Sequence, residues 1–569
     1  MNAFGRQPVR WAIPALLVVA ACIASAVFGR GGPVGGPSGP GAPPPVAERA
    51  APARPGPAVA PAAGRARGHR RVRPHMPTGT GTRAVLRRAL LTGAIGRRQW
   101  AAWRRDLVRA RRVVPRLEGA RRAELASVLG TVEGLAASGR LTASRMPLAF
   151  LTLRRNTTVW RTRPFPAPSA RLTFGRDPAV FQYFPGRGVQ VHALATAGQA
   201  NALAVPCLRV ADARRGRALA RAARFASARR VGSARRVLRP RVPASARGRR
   251  GACRPRTLQR RLDRLVALSS RRGGFRAWES LFAYGGGTAP WVSAMTQATA
   301  AQALARGANA LGDRGYRRVA LAALGAFDAA PPLGVSVPTG RGRQFVMYSF
   351  APSLQILNGT LQAVIGLYDV AHLTGARRAW RLFRRGERAA RTMVASYDTG
   401  AWSRYSLAGR ESTLSYHELV TGFLDGLCSR TGRAVYCDRA ARFDRYLHEP
   451  PLIRLTVPAR LREARPAAFS AWVSKVSAAE VTVRDRRGVL LDRTGELPRG
   501  RYRYAFTPRR AGRYTVKVTA TGPEGRRAVA EAQVRAKAKP KPKPEPKPKP
   551  KPKRRRTDDR ATTLDLEAG

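Results

Sequence analysis

The sequence predicts a multidomain, mainly α protein: an α/α toroid (barrel) with a short β region before it and an immunoglobulin-like β-sandwich after it. Three observations carry that reading. From about residue 285 to 447, helical stretches of about 15–20 residues alternate with loops bearing Gly, Pro and Asp, without a strict repeat period. From about 452 to 536, short alternating segments sit between turn signals such as Thr521-Gly522-Pro523. The chain has 569 residues and is 44% hydrophobic, which supplies several cores and excludes disorder throughout.

Taken in order, residues 1–30 read as an export signal or membrane anchor. Arg6 and Arg10 precede an uncharged apolar run from Trp11 to Phe28. Ala24-Ser25-Ala26 suits a signal peptidase. Val19-Ala20-Ala21-Cys22 resembles a bacterial lipobox, which makes Cys22 the lipidation candidate. Left uncleaved, the run would just span a bilayer. Each route puts the remainder outside the cytoplasm, extracellular or at the cell surface, with the N-terminus as the membrane contact. Residues 31–75 are rich in Gly, Pro and Ala and read as an extended linker.

Residues 76–275 read as helical, with a short β segment at about 148–191. Leu86, Leu90, Trp103, Leu107, Leu125, Val128, Leu129, Val132 and Leu135 recur at helical spacing. From Leu148 to Val191, β-branched and aromatic residues alternate between Pro and Gly turns, which suggests strands. Residues 276–450 hold the toroid, with helices expected at Val292–Leu311, Tyr316–Ala329, Gly359–Leu373, Arg377–Tyr397 and Tyr416–Leu427. Residues 451–536 hold the sandwich, and 537–569 a Lys-Pro-rich tail.

The chain carries 106 Lys plus Arg against 32 Asp plus Glu, a balance of +74. A polyanion partner would suit it; so would the general bias towards Ala, Arg, Gly and Pro. No zinc-finger spacing, aromatic RNA-binding signature or suitable GXXG loop is present, so nucleic acid is not the expected partner. The Lys-Pro repeat from Lys539 to Lys553, followed by Arg554-Arg555-Arg556, is stiff and cationic and could lie along a cell-wall polyanion.

Beyond Cys22 there are four cysteines, an even count that favours disulfides in an exported chain. Three connectivities are open. Cys428 and Cys437 are nine apart across a turn and form the natural local pair; Cys207 and Cys253 would then close an Arg-rich segment. No CxxC or HExxH spacing points to a metal, and no Walker loop, dinucleotide fingerprint or nucleophile elbow points to a cofactor.

What remains is a set of aromatic hydroxyls on loops beside helix ends: Met347-Tyr348-Ser349, then Tyr397-Asp398-Thr399-Gly400 with Arg404 and Tyr405, then Ser415-Tyr416-His417. Together with Trp291-Val292-Ser293-Ala294-Met295 and Gln297, Leu357-Asn358-Gly359 and Gly366-Leu367-Tyr368-Asp369, they make the stretch from about Trp291 to Tyr446 resemble the C-terminal catalytic domain of the D-glucuronyl C5-epimerases. Gln182-Tyr183-Phe184-Pro185 looks like a segment of that family's N-terminal β region.

The resemblance implies an α/α barrel, a heparosan-type uronic-acid polysaccharide as substrate, and inversion at C5 without a cofactor. It implies Tyr348, Tyr405 and Tyr416 as the proton-transfer and carboxylate-facing hydroxyls. Tyr183, Arg404, Arg410, Gln297 and Asn358 would bind substrate, and nearby Arg would lower the tyrosine pKa from about 10. Two departures stand out: Met347 replaces the family's glutamate before the first tyrosine, and Ala408 replaces its arginine after the second. They leave a non-catalytic binder of acidic glycan, or a polysaccharide lyase, as alternatives.

Overall fold

The structure is a computed structural model and describes residues 77–228 and 252–539. The export segment with Cys22, the linker and the Lys-Pro tail from residue 540 lie outside those residues. The protein is a multidomain assembly of helices and several β-sheets. No helix among the described residues is long and apolar enough to cross a membrane.

Four helices open the described chain: α1 (Thr82–Leu91), α2 (Arg97–Val113), α3 (Gly119–Ala137) and α4 (Met146–Thr162). Leu86, Leu107, Leu125, Val128, Val132 and Leu135 are buried, as their spacing predicts. The expected β segment is corrected here. Residues 146–162 are helical, and strands begin only at β1 (Arg171–Phe174), followed by β2 (Asp177–Phe184) and β3 (Gly188–Val191).

The reason lies in α4. Its threonines satisfy their hydroxyls within the helix, Thr152 on Leu148 O and Thr157 on Leu153 O, each at 2.9 Å. Phe150, Leu153, Thr157 and Trp160 form a buried stripe at helical spacing. Burial on most sides, not a strand pleat, explains the aromatic and β-branched content. Asn156 then clamps β3: its amide donates to Val189 O and its carbonyl accepts from Val189 N. Asn156 is itself fully buried.

Helix α5 (Ala193–Ala228) and helix α6 (Pro255–Leu268) are joined by the Cys207–Cys253 disulfide. A hairpin of β4 (Ser270–Arg272) and β5 (Phe275–Ala277) leads into three helix pairs: α7 (Ala294–Leu311) with α8 (Arg314–Ala322), α9 (Leu357–Thr374) with α10 (Arg377–Met393), and α11 (Leu414–Thr431) with α12 (Ala434–Tyr446). A second hairpin, β6 (Ser336–Thr339) and β7 (Gly342–Phe345), separates the first two pairs. The Cys428–Cys437 disulfide ties α11 to α12.

Helices α7, α9 and α11 run parallel, and a buried ion cluster sets their register. The Asp369 carboxylate of α9 accepts from Gln302 and Arg306 of α7, at 2.7 and 2.6 Å, and from Arg430 of α11 at 2.8 Å. Burial alone would raise this carboxyl, but Arg430 and Arg306 hold it well below the usual carboxylate range. One turn and two turns nearer the start of α9, Gly366 lies against Ala298 and Gln362 bonds Thr299. A Cβ on Gly366 would sit 2.8 Å from Ala298, so glycine permits the approach of the two helices.

The last region is two sheets around one core. Strands β8 (Ile453–Thr456), β10 (Ala467–Val473) and β13 (Gly500–Phe506) form one sheet, in the order β13-β10-β8. The second contains β9 (Leu461–Arg462), β11 (Ser477–Asp485), β12 (Gly488–Leu497), β14 (Gly512–Thr521) and β15 (Arg527–Lys537), in the order β12-β11-β14-β15-β9. Phe469, Val481, Val483, Phe506, Tyr514, Val516 and Val518 meet between them.

The disulfides close loops with sequence separations of 46 and 9. Chain-entropy arithmetic gives about 4 kcal/mol for the longer and about 2.5 kcal/mol for the shorter. Urea unfolding of Cys207→Ser/Cys253→Ser is therefore expected to show a larger loss than Cys428→Ser/Cys437→Ser, with reducing agent reproducing the sum. Insensitivity of the native protein to reduction would contradict both pairings.

Candidate active site

Three loops deliver three tyrosines to the starts of the parallel helices. After β7 the chain is sewn to the start of α7: Ala294 N donates to Val346 O and Ser349 N to Val292 O, at 3.1 and 3.0 Å. Val292 N in turn donates to Ser349 Oγ at 3.1 Å. Tyr348 is held between these links. Tyr405 is fixed at the start of α9, where Leu357 N donates to its carbonyl at 3.3 Å and Ile356 bridges Ser406. Tyr416 lies in the first turn of α11.

All three are half-buried, and so is a fourth, Tyr284. The rings of Tyr405 and Tyr416 are 4.9 Å apart, and those of Tyr284 and Tyr348 5.8 Å. The hydroxyls of Tyr348, Tyr405 and Tyr416 interact in series. Burial pushes Tyr348 well above the ordinary phenol value, and its neighbours Tyr405, Tyr284 and Tyr416 push it further. Burial likewise raises Tyr405 and Tyr416. The expected lowering by arginine is reversed: what dominates is desolvation, with other phenols next.

Around this group lie the departures. Met347 packs against Gly359, and its sulfur accepts from Ser293 Oγ at 3.4 Å, so an apolar side chain fills the place beside Tyr348. Ala408 is exposed. Arg410 is exposed too, its carbonyl accepting from Tyr405 N. Arg404 bridges Glu411 across the loop through its backbone, and its charge acts on that carboxylate.

Two other expected binding residues, Gln297 and Tyr183, make their hydrogen bonds within the scaffold. Gln297 is buried and exchanges two hydrogen bonds with the main chain of Trp278. Asn358 is 2% exposed, its carbonyl accepting from Gly359 N. Tyr183 points away from the tyrosine group: its hydroxyl donates to Glu124 at 2.7 Å, within the N-terminal helical region. Its strand neighbour Phe184 is the residue that reaches the site, 6.2 Å from Tyr284. Among the described residues no cluster of His, Cys, Asp and Glu is placed to hold a metal ion.

The loop between Tyr397 and Tyr416 is braced from behind. Trp402 stacks on His417 with centroids 3.7 Å apart and donates to Ser412 O. His417 Nε2 donates to Phe443 O at 2.8 Å, which leaves Nδ1 to accept from Ser403 N. Burial pushes this imidazole down to about 4. Over Trp402 sits Lys475 from the β-sheet region, 1% exposed, paired with Glu524 at 2.8 Å and donating to the carbonyls of Tyr446 and Glu449. The sheet region is thus built into the support of the tyrosine loop.

Residues 272–445 match the family model of the D-glucuronyl C5-epimerase C-terminus. This segment belongs to that family. The match takes in Tyr284, Tyr348, Tyr405 and Tyr416. An uncharacterised protein of Methanocaldococcus jannaschii is 26% identical over 151 residues, 26% of this chain and 49% of that protein. The alignment thus spans about half the length of that relative. Tyr284 of the epimerase-family domain escaped sequence reading because a single tyrosine before Gly285-Gly286-Gly287 has no periodicity; the one available signal was its place seven residues before Trp291.

Two outcomes test the brace. Lys475→Met leaves Glu524 buried without its cation and is expected to cost about 3 kcal/mol in thermal or urea unfolding, with Lys475→Met/Glu524→Leu recovering much of it. An unchanged single variant would contradict the burial of this pair. His417 is neutral in the fold and titrates near 6.5 when unfolded. Its contribution is complete above about pH 6.5 and is lost as pH falls to about 4, up to about 3 kcal/mol. Unfolding measured at a series of pH values should show that acid loss, with a shallower slope in His417→Gln.

Proposed function

We propose that the epimerase-family domain inverts C5 of D-glucuronate units in an acidic polysaccharide of heparosan type. The observation that carries this is the meeting of Tyr348, Tyr405 and Tyr416 at the starts of three parallel helices inside the family-matched segment. We read the helix pairs as an α/α toroid and the last two sheets as an immunoglobulin-like sandwich.

The chemistry follows from the substrate. The C5 proton is α to a carboxylate, so its loss places two electrons into an enediolate. One tyrosine, as phenolate, takes that proton; the C5–H bond breaks and a phenol forms. A neutral phenol on the opposite face then gives its proton to C5, and the C5–H bond re-forms inverted. No electrons leave the system. A phenol raised by burial is a strong base once ionised and a reliable donor while neutral, which suits both roles. The helix starts beside the tyrosines offer partial positive charge to the enediolate.

The two departures support a second reading, a binder that holds acidic glycan without turnover, because Met347 supplies no carboxylate and Ala408 no cation. A lyase would abstract the same proton and expel the C4 substituent. Two disulfides fit work outside the cytoplasm. The basic tail is proposed to hold the protein on a cell-wall polyanion.

Proton NMR of a glucuronan incubated with the full chain in deuterated water tests the proposal. Loss of the C5 signal with appearance of iduronate signals is expected, and Tyr348→Phe or Tyr405→Phe should reduce it by at least about 100-fold. An unsaturated product would establish the lyase, and binding without exchange the binder. Because the base must ionise from a raised pKa, kcat/KM should climb with pH and reach no plateau below about pH 10. A bell centred near neutrality would contradict a tyrosine base.

A further inference from the structure

Tyr348 belongs to two groups at once. On one side are the hydroxyls of Tyr405 and Tyr416. On the other is an unbroken path of rings: Phe184, Phe282, Tyr284, Trp291, Tyr348 and Phe350. Tyr284 lies 6.0 Å from Trp291 at 28°, and Tyr348 5.3 Å from Phe350 at 25°, both stacked. Trp291 stands edge-on to Tyr348 and Phe350, at 5.7 and 5.4 Å. Phe184 extends the path through Phe282 at 4.9 Å. Trp291 and Phe282 are buried, while Phe184, Tyr284, Tyr348 and Phe350 keep part of their surface in water.

A core cluster would bury such rings fully. Four of the six rings stay partly exposed, a ring floor that the chain takes care to fix. A Cβ on Gly287 would collide with the Phe350 ring, so glycine lets the 284–287 turn press against that ring. Tyr284 N and Gly287 O close the turn at 3.0 Å. Two arginines from the N-terminal region pin the same loop by its carbonyls, Arg187 on Ala283 O and Arg140 on Ala289 O, each at 3.0 Å.

We propose that this floor is a sugar-stacking subsite for the pyranose next to the reacting uronate, with Tyr284 as its principal contact ring. The proposal rests on the reading that Tyr348 works on a uronate within a polymer. A pyranose presents axial C–H groups on a flat face and hydroxyls at its edge. A half-exposed aromatic surface matches the face, and the Tyr284 hydroxyl can reach the edge. Because Tyr348 is itself a member of the floor, a chain stacked there would carry its next unit to the Tyr348 hydroxyl.

The test uses the full chain and heparosan-type oligosaccharides of increasing length, with C5 exchange giving kcat and KM and calorimetry giving Kd. Tyr284→Leu removes the ring and is expected to raise KM and Kd for long oligosaccharides about tenfold, with a much smaller effect on kcat. Tyr284→Phe keeps the ring and should restore most of that affinity, which separates stacking from a folding defect. Tyr348→Phe should abolish exchange and keep binding. Tyr284→Leu with KM and Kd within twofold of the native protein would overturn the subsite while leaving the epimerase proposal intact. A native protein without exchange, whose oligosaccharide binding falls in Tyr284→Leu and returns in Tyr284→Phe, would uphold the subsite and sink the epimerase proposal. No binding by the native protein would overturn the subsite as well.

Discussion

The Asp369 carboxylate fixes the axial register of the three helices from which the site is built. It sits in α9 and draws Arg306 from α7 and Arg430 from α11. A one-turn slip of either partner helix would move its start by about 5.4 Å and part the loops that hold Tyr348, Tyr405 and Tyr416. A buried ion cluster of this kind is weak ground for stability, since desolvation consumes much of the attraction, but it is well suited to selecting one register. Close approach at Gly366 and Ala298 and the Gln362–Thr299 bond act in the same direction.

Register alone does not make a proton-transfer site; the surroundings of the phenols do. They are half-buried among one another, and desolvation dominates their titration. That raises their basicity without needing a cation in contact. Beside Tyr348, Met347 packs against Gly359 and its sulfur accepts from Ser293 Oγ, so the place next to the phenol is apolar. Behind the loop, the stack of Lys475, Trp402 and His417 makes the sheet region a structural part of the site.

The helix pairs were legible because their apolar positions recur at spacings of three and four, and the strands of the last region because they alternate between turns. Residues 146–162 were misread because β-branched and aromatic residues signal burial as well as strand, and the threonines conceal their helical hydrogen bonding. Tyr348, Tyr405 and Tyr416 were readable as an ordered set of motifs. Tyr183 was not placed correctly, since one step along a strand reverses the face: Tyr183 turns to Glu124 and Phe184 to Tyr284. Arg404 and Arg410 could not be ranked from a sequence in which nearly every basic residue is arginine. Tyr284 needed the fold, because only packing brings its glycine-rich loop to Phe350.

The most direct measurement is a crystal structure of the native protein with a heparosan-type oligosaccharide. The expected result is a uronate whose C5 lies about 3–3.5 Å from tyrosine hydroxyls on its two opposite faces, Tyr348 being one of them. A uronate seated elsewhere, or with tyrosine on one face only, would contradict inversion by this group of phenols.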